Sequence, residues 1–98
     1  MGNGGDVVSK APYTVEDRET ARAILRYLVK YPKAKDTADG IAQWWLEGEK
    51  SKRVHVEHAV SLLTARGLIV QTHRKGPPPY YELAPRRRAA ALRILREL

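Results

Sequence analysis

Apolar residues recur at helical spacing in four stretches of this chain, and two short runs between the third and fourth read as strands. Ala21, Ile24, Leu25 and Leu28 fall at i, i+3, i+4 and i+7, on one face of a helix over about residues 15–30. Thr14-Val15-Glu16-Asp17 precedes that face as a capping-box-like start, a hydroxyl followed three residues later by an acid. Tyr31-Pro32 predicts its end, because a proline pushes the residue before it out of the helical region. Asp36 or Thr37 can cap a second helix with Ala38, Ile41, Ala42 and Trp45 inside and Trp44 beside them, and Gly48 is a natural stop. Val56, Ala59, Val60 and Leu63 repeat the spacing in a third helix over about residues 52–65, closed at Gly67.

At Leu68 the period changes. Leu68-Ile69-Val70-Gln71-Thr72-His73 and Tyr80-Tyr81-Glu82-Leu83 are rich in β-branched and aromatic residues, and Arg74-Lys75-Gly76-Pro77-Pro78-Pro79 lies between them, which predicts a β-hairpin with a stiff basic tip. Pro85 suits the first position of a last helix, with Ala91, Leu92, Leu95 and Leu98 along one side and Arg86, Arg87, Arg88, Arg93 and Arg96 on the others. The first residues carry Gly2, Gly4 and Gly5 and no periodicity. The expected layout is a flexible arm over 1–13, a folded domain over 14–84 and a C-terminal helix over 85–98. Its class is mostly α with a small β-hairpin (α+β), and Leu25, Leu28, Ile41, Trp45, Val60, Leu63 and Ile69 share one core.

Composition narrows what such a domain does. With 98 residues there is room for one core, and the absence of cysteine removes disulfides, cysteine-based metal sites and a thiol nucleophile. No stretch approaches the roughly 18 apolar residues of a membrane span, and Met1 to Asp6 has neither a basic nor an apolar leader region, so the chain reads as cytoplasmic. Gly2 does not read as a lipidation site, since Asp6 stands where that motif wants Ser or Thr. The formal charge of +7 is unevenly placed: residues 1–49 carry seven Lys/Arg against eight acids, and residues 50–98 carry eleven against three. A basic half of this kind is the footprint of a module that meets a polyanion, nucleic acid before membrane.

One series of residues is more specific. Ile41-Ala42 is followed by Val56, Val60 and Leu63 and then by Arg66-Gly67-Leu68-Ile69. In this order, with the hairpin and last helix behind it, the chain resembles the winged helix-turn-helix family of prokaryotic transcription regulators, of the MarR-like type. The passage from Ile41 to Gly67 is about four residues longer than the tight form of the motif, with the surplus over residues 46–53, so the turn reads as a loop or an extended second helix. The resemblance implies a three-helix core, a two-stranded wing and a third helix that enters the major groove of double-stranded DNA. The residues it would present are Lys50, Lys52, Arg53, His55, Glu57, His58 and Ser61, with Arg74 and Lys75 of the wing on the phosphate backbone and His73 nearby. It also implies a homodimer, with Ala91, Leu92, Leu95 and Leu98 as the pairing stripe.

Other chemistry is weaker in the sequence. His55 and His58 stand at metal-ligand spacing with His73 as a third candidate, but no cysteine or obvious carboxylate joins them, and the expectation is no metal and no cofactor. Ser9, Ser51 and Ser61 lie in no nucleophile motif and no phosphate-cradling glycine loop follows a strand, so the chain reads as a non-enzyme. Tyr27, Tyr31, Trp44 and Trp45 read first as core and second as an aromatic effector pocket. The rival to a DNA-binding regulator is a winged helix kept for protein–protein contact, since fold alone does not decide function.

Overall fold

Thr14 caps the first helix in the computed structural model, which describes residues 13–46, 53–73 and 76–97. Helix α1 runs Val15–Lys30. The Thr14 hydroxyl accepts from the Asp17 N–H at 3.0 Å while the Asp17 carboxylate accepts from the Thr14 N–H at 2.9 Å, so both halves of the capping box form. Tyr31 leaves the helical region at φ −127°, as its proline requires. Strand β1 (Lys35–Asp36) follows; two residues are too short to show any alternation, and no sequence pattern announces it. All but Tyr13 of the expected arm over 1–13, and the stop at Gly48, Lys50, Lys52, Arg74, Lys75 and Leu98, lie outside the described residues.

Thr37 caps α2 (Ala38–Gly40), its hydroxyl accepting from the Gly40 N–H at 3.2 Å, and the helix then widens into a π-helical turn over Ile41–Trp45. That turn carries Ile41 and Trp45 into the core and leaves Trp44 65% exposed. Helix α3 is Arg53–Ala65 and buries Val56, Ala59, Val60 and Leu63, the stripe its sequence predicts. It closes through Gly67, at φ +72°, with the Gly67 N–H on the Thr64 carbonyl and the Leu68 N–H on the Leu63 carbonyl, both at 3.0 Å.

Strands β2 (Ile69–Thr72) and β3 (Tyr80–Leu83) form the expected hairpin, with Ile69 opposite Leu83 and Thr72 opposite Tyr80. The sheet has three strands where the sequence suggests two: β1 pairs antiparallel with β3, Lys35 opposite Glu82, giving the order β1-β3-β2. The architecture is therefore α+β, mostly helical over a small antiparallel sheet. Leu25, Leu28, Ile41, Trp45, Val60, Leu63 and Ile69 do share one core, joined by Ile24, Val56 and Leu68.

The end of the chain departs from the sequence reading twice. Pro85 does not begin the last helix. It precedes Arg86, whose φ of +62° is incompatible with a helix, in a turn closed by the Arg87 N–H on the Ala84 carbonyl at 3.2 Å, and α4 runs Arg88–Glu97. The turn swings α4 back onto α1, where the Arg88 Nε donates to the Val29 carbonyl at 3.1 Å. Ala91 is fully buried there and Leu95 packs against the core beside Ala90 and Ile94, so two of the four residues expected to face a second subunit cover their own domain, and Leu92 remains 37% exposed. None of the described helices is long and apolar enough to cross a membrane.

Of the described glycines Gly40 is the most closely packed, because a Cβ there would overlap the Asp36 carboxylate, whose Oδ1 accepts from the Thr37 N–H at 2.8 Å. Gly40→Ala is expected to destabilise the protein by about 1–3 kcal/mol, against the roughly 1 kcal/mol gain that alanine brings in an open helix. Urea denaturation of the two proteins checks the sign.

Candidate nucleic-acid interface

Burial of Val56, Ala59, Val60 and Leu63 sets the rotation of α3, and Arg53, Val54, Glu57, His58 and Ser61 consequently face outward. Next to this face, Glu57, Ser61, Thr64, Gln71 and Tyr81 line an open groove of about 400 Å³ between α3 and the hairpin strands. Tyr81 at its side is a hydroxyl donor: burial pushes its ionisation up and the Glu57 charge adds to this, with Arg53 partly offsetting them. The structure thus brings Arg53, Glu57 and Ser61 onto the side of α3 that faces the hairpin, while His58, exposed on the same helix, lies on the side toward α1.

Arg53 is not a bare cation. One guanidinium nitrogen lies on the Asp39 carboxylate of α2 and another is 3.1 Å from Glu57, one helical turn on. Exposed pairs of this kind are worth only about 0–1 kcal/mol, so a phosphate can replace an acid as the Arg53 partner at small cost. The remaining described cations of the basic half lie elsewhere. Arg66 follows α3, the Arg87 guanidinium passes beside Gly67, and Arg86, Arg88, Arg93 and Arg96 are exposed along the last turn and α4.

His55 and His58 differ most from the sequence expectation. Instead of pointing free into solvent, both turn their Nδ1 atoms to Asp17 on α1: His55 is 2.8 Å from Oδ1, and His58 is 3.3 Å from Oδ1 and 3.2 Å from Oδ2. Asp17 has 0% exposure, His55 is half-buried and His58 is exposed. Burial pushes its carboxyl up, but the Thr14 N–H, the His55 imidazole and the charge and hydrogen bond of His58 outweigh burial, so its pKa is lowered. The ligand-type atoms of the three residues lie within 4.8 Å of one another. His73 is not among them; its ring meets Gln71 at 3.2 Å. Asp17 reads from sequence as a capping residue only, and nothing local marks it as the partner of residues 38 and 41 positions away.

The aromatic residues behave as core and surface. Tyr27 stacks on Trp45 at 4.7 Å and 12° and meets Tyr31 at 4.8 Å, while Trp44 stands outside this group in solvent. No family model matches this chain, and neither a curated protein nor a solved structure matches it.

The Asp17 cluster makes a signed prediction. A carboxyl with a lowered folded-state pKa contributes stability that is present above its unfolded value, near 3.8, and is lost as pH falls through the lower folded value. Asp17→Ala, which removes the cap and strands both imidazoles, is expected to destabilise the fold by about 2–4 kcal/mol at neutral pH. The gap between variant and parent closes as pH falls into the acid range below the ordinary carboxylate pKa, which thermal unfolding across that range measures.

Proposed function

We propose that this chain binds double-stranded DNA as a homodimeric transcriptional regulator of the winged helix-turn-helix kind, with α3 as the helix that reads base edges and the β2–β3 hairpin lying along the backbone. The observation that carries the reading is the rotation of α3. Its apolar stripe is spent on the core, and its exposed side offers Arg53, Glu57 and Ser61 beside the hairpin. Each has a use against a base pair or phosphate: Arg53 donates to guanine or phosphate, Ser61 bonds either, and Glu57 accepts from a cytosine amino group. The net +8 of residues 50–98 supplies the electrostatic attraction that brings such a face to a duplex. The tip residues Arg74 and Lys75 belong to the same reading, as do Lys50 and Lys52 ahead of α3. No residue is given a catalytic role.

In this reading the dimer surface left to α4 is the side that carries Leu92, since Ala91 and Leu95 are committed to the domain itself. A second reading, a protein-binding module, is favoured by one feature. Arg53 is shared between Asp39 and Glu57, and exposed Val54 and Trp44 add apolar surface to this region of the chain.

Binding to random duplex DNA across a salt series separates the two. Arg53→Ala, Arg74→Ala and Lys75→Ala are each expected to weaken binding and to lower the salt slope by about one for every phosphate left without its cation, whereas Glu57→Ala alters sequence preference. A folded protein that binds no duplex at low salt overturns the DNA reading in favour of the protein-binding one. In sedimentation the parent is expected at twice the chain mass and Leu92→Glu at the chain mass; a parent that stays monomeric at tens of micromolar removes the dimer.

A further inference from the structure

We propose that Asp17, His55 and His58 form a binding site for one divalent transition-metal ion of the zinc type, held between α1 and α3. The three donors come from two helices that meet in the core, and their ligand-type atoms lie within 4.8 Å of one another. Both histidines offer the same atom, Nδ1, and both offer it to the same carboxylate oxygen, Oδ1, at 2.8 and 3.3 Å. A tetrahedral ion with bonds of about 2.0–2.1 Å keeps its ligands roughly 3.3 Å apart, so small rotations of three side chains suffice to admit it. The helix backbone already provides the i, i+3 spacing that places both imidazoles on one face.

The surroundings suit an ion as well as the donors do. The other oxygen, Oδ2, accepts from the Thr14 N–H at 2.9 Å, the kind of outer hydrogen bond that fixes a ligating carboxylate in place. Oδ1 faces both imidazoles, and His58 Nδ1 also lies 3.2 Å from Oδ2. His58 is 49% exposed at its side chain and His55 25%, so the site opens to solvent on one side, where water can complete the coordination. A carboxylate with two neutral imidazoles carries one negative charge, which a divalent cation reverses. The N₂O donor set selects zinc, cobalt or nickel over calcium and magnesium, whose sites are built from oxygen. A neutral imidazole that carries its proton on Nε2 leaves Nδ1 free to ligate.

An ion here clips the start of α1 to the N-terminal half of α3 and stiffens the face that α3 presents. The site itself does not rest on the DNA reading, and its test involves no nucleic acid. The full chain without a histidine tag, stripped with a chelator, is titrated calorimetrically with zinc at neutral pH, and cobalt absorption reports the geometry. One zinc per chain, a tetrahedral cobalt spectrum and a rise in the unfolding midpoint with zinc are expected. His55→Ala and His58→Ala should each weaken binding by about 10-fold or more, His73→Ala should leave it unchanged, and calcium or magnesium should give no signal. Asp17→Asn disturbs the cap, so the decisive variant is His58→Ala, whose side chain is half in water. No saturable binding with zinc in tenfold excess over chain, or equal binding by the His55→Ala/His58→Ala protein, overturns the proposal and leaves the cluster a hydrogen-bonded clamp.

Discussion

Asp17 has no surface in contact with solvent and a carboxyl held toward its charged form, so its compensation has to come from the protein itself. An isolated carboxylate taken out of water would cost several kcal/mol, and a half-compensated one would neutralise or drag its helix outward. Thr14 supplies one donor from the cap of α1, and His55 and His58 supply the others from α3. The same carboxylate that starts one helix therefore aligns another. Any shift of α3 along α1 by one turn would carry both imidazoles away from it.

The apolar seam under this polar point provides most of the stability. Ile24, Leu25 and Leu28 of α1 and Val56, Val60 and Leu63 of α3 are all essentially buried, and each such side chain contributes roughly 1.5–3 kcal/mol on transfer from water. The exposed pairs, Lys35 with Glu82 and Arg53 with Asp39 and Glu57, are small beside that. Apolar contacts tolerate sliding more than a hydrogen-bonded carboxylate does, so the seam holds α1 and α3 together while the Asp17 cluster sets their register. The face that α3 turns outward is a product of both.

The charge asymmetry of the chain is distributed in space less simply than along the sequence. Arg53 meets acids at the start of α3, whereas Arg66 and Arg87 gather at its far end, and Arg93 and Arg96 lie along α4. The guanidinium groups of the basic half thus sit on separate elements, and the exposed side of α3 carries mixed charge.

How much of this was legible in the sequence follows from the range of each interaction. The limits of α1, the buried stripe of α3, the Schellman closure at Gly67 and the hairpin strands depend on neighbours within a few residues, and periodicity, caps and turn residues declare them. Charge distribution is likewise a property of the sequence alone. By contrast, β1 exists only because β3 lies beside it, and α4 lies on α1 only because Arg86 takes a left-handed turn that Pro85 did not foretell. The pairing of Asp17 with His55 and His58 spans 38 and 41 residues, and each residue by itself has an ordinary local role, a cap or an exposed helix position. Only the close packing of two helices turns those separate roles into one cluster, because the contact between them is made by the core and not by anything near them in the chain.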